Sequence, residues 1–308
     1  MSTPIRELAS GLQFPEGPVA MADGSVILVE IRRGTLSRVT PEGKVEVVAE
    51  LGGGPNGAAV GPDGAVYVCN NGGFTWTRLG DLHIPLDLKT GSNEPPDFAG
   101  GWIERVDVGT GESTVLYRDC NGHLLRSPND IVFDETGGFW FTDLGKTRPR
   151  EVDRGGLYYA RPDGSSITEV AYPLWGPNGV GLSPSGDRVY VAESYTGRLI
   201  GWDLDGPGTV HRAAGGHGGR CIAATRSHFD SLAVEADGTV VVAALPDGLC
   251  SINDERESVE YTTLPDPLTT NVCFTGDDMR TAYATLSGTG RLVALDWPRP
   301  GLRLAYNA

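Results

Sequence analysis

Along this chain, short apolar runs alternate with polar turn residues, and the alternation itself repeats. Six segments share one arrangement: a polar residue, a strand-length apolar run, a turn built on Gly or Asp, and a second apolar run. They are PEGPVAMADGSVILVE from Pro15, PNGAAVGPDGAVYVCN from Pro55, PNDIVFDETGGFWFTD from Pro128, PNGVGLSPSGDRVYVAE from Pro177, FDSLAVEADGTVVVAA from Phe229 and TNVCFTGDDMRTAYAT from Thr270. Val, Ile, Tyr and Phe fill the runs, and turns such as Asp23-Gly24, Asp63-Gly64 and Asp237-Gly238 join them, so each unit predicts a β-hairpin. Further hairpins follow at GTLSRVTPEGKVEVVAE from Gly34 and GGLYYARPDGSSITEVA from Gly155. Two hairpins make a four-stranded unit of about 40 to 50 residues, the period of a propeller blade. The pattern therefore predicts an all-β chain, a six-bladed β-propeller, with residues 1–308 as one domain. A β-sandwich would not repeat one polar residue at the head of every unit, and a β-helix has a shorter period.

The second residue of each unit is Glu16, Asn56, Asn129, Asn178, Asp230 or Asn271, at spacings of 40, 73, 49, 52 and 41 residues. Blades of a propeller surround a central channel. If the repeated position starts each innermost strand, six oxygen-bearing side chains face one axis. Carboxylate and amide oxygens without sulfur or imidazole suit hard cations such as Ca²⁺ or Mg²⁺. Two carboxylates among amides balance a doubly charged ion, whereas a buried carboxylate pair without a cation is costly. A single Asn-Gly is an ordinary turn dipeptide; the shared register, with acidic residues in two copies, favours the cation.

Composition narrows the partners. The net charge is −15, which opposes binding to nucleic acid or an anionic membrane. The five cysteines are odd in number and form no CxxC pair, so a disulfide framework is not expected and a reducing compartment fits. No signal-like or membrane-length apolar run occurs. The expectation is a soluble cytoplasmic protein, a monomer or small homo-oligomer, acting on small molecules.

At the repeated residues the sequence resembles the gluconolactonase/regucalcin (senescence marker protein) family of six-bladed propellers. The stretches that carry the resemblance are FPEGP at Phe14, SPNDIVFDETGGFWFTD at Ser127, GPNGVGLSPSGDRVYVAES at Gly176 and DSLAVEADG at Asp230. A related propeller, diisopropylfluorophosphatase, sets Glu, Asn, Asn and Asp around calcium. The resemblance implies a lactone-opening hydrolase. Its metal ligands would be Glu16, Asn178 and Asp230, with Asn129 as a fourth ligand or a contact through water or substrate. The ion would be Ca²⁺, with Mg²⁺, Mn²⁺ or Zn²⁺ as alternatives. Family members often carry an Arg two residues before the SPND-type Asn, where it contacts the sugar. Here Ser127 stands there and Arg126 one step earlier, a departure that points to a less polar lactone.

In such a site a metal-activated water attacks the carbonyl and Asp230 takes its proton as general base. Direct attack by Asp230 is the rival route. Asn56, Asn129 and Asp130 are placed to hydrogen-bond the substrate ring, although Asp130 also reads as a turn residue. No GxSxG elbow occurs, and His83, His123, His211, His217 and His228 show no HxxxH or HxH spacing. Glu30, Asn70, Asp143 and Glu193 recur after the second strand of four blades, as orienting groups or as plain strand ends. Aryl ester or phosphotriester hydrolysis at the same site, or a non-enzymatic calcium-binding scaffold, are the alternative functions.

The 73-residue interval between Asn56 and Asn129 holds an insertion mixing Gly and Pro with Phe74, Trp76, Ile84, Phe98 and Trp102. We read residues 71–105 as a lid or specificity loop, with Trp76 and Trp102 as an apolar wall for substrate. Packing of those aromatics onto blades two and three is the competing reading.

Overall fold

Each repeated segment folds as a pair of antiparallel strands. Their apolar residues are buried on both faces because a neighbouring sheet packs on each side. The structure is a computed structural model that describes residues 4–212 and 218–306. Within them, six antiparallel sheets, five of four strands and one of five, form the blades of a β-propeller. The innermost strands are Pro15–Ala20, Pro55–Val60, Pro128–Phe133, Pro177–Leu182, His228–Val234 and Thr269–Thr275. Each lies against the next, and the sixth lies against the first, so the ring is closed.

Closure uses a strand that the repeat pattern did not reveal. Ile5–Ser10 pairs with Arg291–Asp296 as the outermost strand of blade six, so the first and last parts of the chain share one sheet. Outer strands such as Val45–Glu50 mix exposed and covered positions, in contrast to the fully buried inner strand Pro15–Ala20. The core lies between blades. Phe133, Phe139, Phe141 and Tyr67 fill one gap, and Trp140, Leu157, Val191 and Trp202 fill the next. Among the described residues no helix is long and apolar enough to cross a membrane.

All six inner strands carry one extra residue relative to their partner. The register breaks between Glu16 and Val19, Pro55 and Ala58, Pro128 and Ile131, Pro177 and Val180, Phe229 and Leu232, and Thr269 and Asn271. Such bulges re-aim a side chain, and here each falls at or beside the repeated polar residue. Asn56, Asn129 and Asn178 therefore sit on strands, not in turns. The glycine after Asn56 has a different cause. A Cβ on Gly57 would stand 2.4 Å from the Asn129 carbonyl oxygen of the adjacent strand. Close backbone approach, not turn geometry, requires it.

Candidate active site

The polar heads of the inner strands meet around the axis. Glu16, Asn56, Asn129, Asn178 and Asn271 are buried, and Asp230 is partly exposed. Asn271 Nδ2 donates to Glu16 Oε2 at 2.7 Å, joining blade six to blade one across 255 residues of sequence. The Gly17 amide donates to the same carboxylate oxygen at 2.8 Å. Asn178 Nδ2 donates to Ser194 Oγ at 3.1 Å, and Ser231 Oγ reaches Asn178 Oδ1 at 3.5 Å. Asp130 accepts the Ile131 amide at 3.0 Å and the Val180 amide of the next blade at 3.1 Å. It is thus a strand residue that ties two blades together, not a turn cap.

Three carboxyl groups crowd together here. Burial pushes the Glu16 carboxyl above its ordinary range, against hydrogen bonds from Thr270, Asn271 and Gly17. Burial, then the Glu16 charge, raises Asp130 to about 7. Asp230 is driven well up by burial, by Glu16 and by Asp130, with an Asn178 hydrogen bond opposing. Three mutually repelling carboxylates in a buried ring are unfavourable unless a positive ion joins them. Among the described residues, Asn129 Oδ1 is buried without a hydrogen-bond partner, an acceptor whose chemistry suits a donor or a cation. Among the described residues, no group of three His, Cys, Asp or Glu side chains is arranged to hold a metal. A cation here would therefore draw on amide oxygens as well. The donors present, carboxylate and amide oxygens only, fit a hard divalent ion.

A second layer fixes how the strands enter the ring. Glu30 accepts the Gln13 amide at 2.7 Å and Asn70 Oδ1 accepts that of Gly54 at 2.8 Å. Asp143 accepts the amides of Arg126 at 2.7 Å and Ser127 at 2.6 Å, and Glu193 that of Trp175 at 2.8 Å. In each of these blades the residue ending the second strand holds the backbone just ahead of the inner-strand proline. These four groups orient the chain, not the ring side chains directly.

The other candidates are distributed as follows. Trp76 packs edge-on against Phe14, ring centroids 5.1 Å apart, next to the strand that bears Glu16. Trp102 is held elsewhere: its Nε1 donates to Glu104 at 2.9 Å and Arg118 covers its ring. Trp102 thus packs on its own blade and Trp76 on blade one. Arg126 bonds to Asp153 at 3.0 Å and to Glu94 at 3.1 Å, so its guanidinium is engaged. His228 is exposed and contacts the Ser194 carbonyl at 3.2 Å; His217 lies outside the described residues. Sequence reasoning missed Ser194 and Ser231, whose hydroxyls brace Asn178. Ser194 directly follows the recurrent Glu193, the one signal that could have found it. It also missed Trp175 and Tyr195, exposed near the Asn178 strand.

Segment 71–105 crosses the same face. It contains the small hairpin Thr77–Leu79 and Leu82–Ile84, and the His83 amide bonds to the Gly288 carbonyl of blade six at 2.9 Å. Its far side joins blade three, where the Thr147 amide donates to Asn93 Oδ1 at 2.8 Å.

Known proteins with related sequences include lactonases by name. A gluconolactonase of Zymomonas mobilis is 28% identical over 63% of this chain and 52% of its own length. A lactonase drp35 of Staphylococcus saprophyticus is 31% identical over 63% of this chain and 52% of its own. The chain thus spans about half the length of these relatives. Solved structures share the fold. A gluconolactonase of Xanthomonas campestris superposes with a TM-score of 0.74 at 20% identity, covering 96% of this chain and 90% of that one. A calcium-binding regucalcin of Agrobacterium tumefaciens gives 0.70 at 17%, covering 99% of each. Residues 14–288 match the SMP-30/Gluconolactonase/LRE-like region, and the chain belongs to that family.

Proposed function

We propose that this propeller is a divalent-metal-dependent hydrolase that opens a lactone ring. Glu16, Asn129, Asn178 and Asp230 would hold the ion, and calcium suits their oxygens best. The observation that carries the reading is the convergence of buried Glu16 and Asp130 and partly exposed Asp230 with the unpartnered Asn129 Oδ1. The names of the relatives support lactone hydrolysis over a scaffold role.

A bound ion would supply Lewis acidity toward the carbonyl and lower the pKa of water. The protein's own groups do the rest. Asp230 accepts the proton of the attacking water, and its partial exposure leaves a face open to it. Asn178, braced by Ser194 and Ser231, keeps one amide orientation. Asn56, Asn129 and Asp130 offer hydrogen bonds to the ring oxygens. Segment 71–105 serves as a lid whose Trp76 presents an apolar edge, and the propeller acts as a single unit around this site.

The test is a panel of lactones, an aryl ester and a phosphotriester, assayed with chelator and after calcium is restored. Lactone turnover that disappears with chelator and returns with calcium is the expected result. Calorimetric calcium binding without turnover of any lactone would leave the scaffold reading instead.

A further inference from the structure

Lys146 is fully buried, although lysine rarely is. Its Nζ donates to the Gly73 carbonyl at 2.6 Å. It also stands 4.1 Å from the centre of the Phe74 ring and 5.0 Å from that of Phe98. Gly73, Phe74 and Phe98 all belong to segment 71–105, whereas Lys146 belongs to blade three. On from Phe74, ring contacts run to Trp76 at 6.3 Å and then to Phe14 at 5.1 Å. One side chain therefore grips both ends of the insertion, and its contacts lead to the strand of Glu16. Arg126, lying over Phe98 at 4.8 Å, covers the outer ring.

We infer that Lys146 is a positioning residue: sandwiched by Phe74 and Phe98 and bonded to Gly73, it fixes segment 71–105 so that Trp76 stands against Phe14 beside Glu16, and it thereby sets a preference for lactones bearing an apolar ring substituent. The substrate clause rests on the lactonase reading; the positioning clause does not.

The same geometry makes closure respond to pH. Burial pulls the amine down to about 7, while Asp143, Glu94 and Asp153 raise it and Arg126 lowers it. Opening the segment would return the amine to water, where an ordinary lysine holds its proton to about 10.4. Between these values, opening takes up a proton. Rising pH therefore favours the closed segment, by up to about ten-fold per unit, and below about 7 the dependence vanishes.

Hydrogen exchange read by mass spectrometry over residues 71–105 tests the positioning. In the unaltered protein, opening, corrected for intrinsic exchange, should fall as pH rises from 7 to 9. Lys146→Met keeps the volume but loses the charge and the Gly73 bond, so its opening should not vary with pH and should exceed the unaltered protein's at pH 9. Phe98→Leu should open the segment at every pH and keep the slope. Identical exchange in the unaltered protein and Lys146→Met at all pH values overturns the proposal.

Selection is read from KM for a phenyl-substituted and an unsubstituted five-membered lactone. Their ratio should shift several-fold between pH 6.5 and 8.5 in the unaltered protein and stay flat in Lys146→Met, because effects on chemistry cancel in the ratio. Equal changes for both lactones would overturn the selection clause. If no lactone is turned over, the functional reading fails, and hydrogen exchange still decides the role of Lys146.

Discussion

The two ends of the six inner strands are built on opposite principles. The end where the strands begin gathers Glu16, Asp130, Asp230 and the amides, with an acceptor left unpartnered. Toward the other end, a cavity of about 550 Å³ runs from Asp130 and Asn271 past Val19, Val180, Leu182, Leu232, Val234 and Phe274. Residues near the chain's end cross that lower face. The Leu302 amide bonds to Val234 at 2.8 Å, and the Tyr306 ring meets Phe133 at 5.8 Å. The bulges mark the change between the two ends. Above them the strands concentrate charge at a cost in stability; below them and between blades, apolar burial offsets it. Function and folding are thus divided along the same strands, and mutations should separate them.

Asp230→Asn gives the largest expected effect. Turnover should fall about 10³-fold, as for loss of a general base. In chelator the melting temperature should hold or rise, because one repelling charge is gone. A drop in both would mean that the residue serves the fold. Phe139→Ala is the mirror case. Removing this fully buried ring should cost about 3–5 kcal/mol in urea unfolding. Calcium affinity of the folded protein should stay within about two-fold. Calcium at about 100 times its Kd should stabilise the protein by about 2.7 kcal/mol. Glu16→Gln should remove most of that gain in paired thermal melts, and a full gain in the variant would exclude Glu16 as a ligand. Val47→Lys, on an exposed outer strand, should change stability by less than about 0.5 kcal/mol and turnover not at all.

Much of this was legible in the sequence because the repeat carries it. Hairpins appeared as strand-length apolar runs joined by Asp-Gly turns, and the shared register of Glu16 and Asp230 with four asparagines marked the starts of the inner strands. What escaped was non-local. The pairing of Ile5–Ser10 with Arg291–Asp296 joins segments that share no motif. Lys146 carries no motif, and nothing nearby in sequence shows that Phe74 and Phe98 fold over it. Trp102 looked equal to Trp76, and only Glu104 and Arg118 distinguish them. Side-chain direction on a bulged strand was likewise invisible, because one added residue reverses it.

The strand Ile5–Ser10 makes the propeller a clasped belt: it fastens the outer edge of blade six, whose innermost strand carries the Asn271 that bonds to Glu16 of blade one. An ion gripping Glu16 from blade one pulls on the same joint that the buckle fastens. If an ion binding there tightens that joint, linkage makes the relation mutual: loosening the buckle would then weaken the grip on the ion.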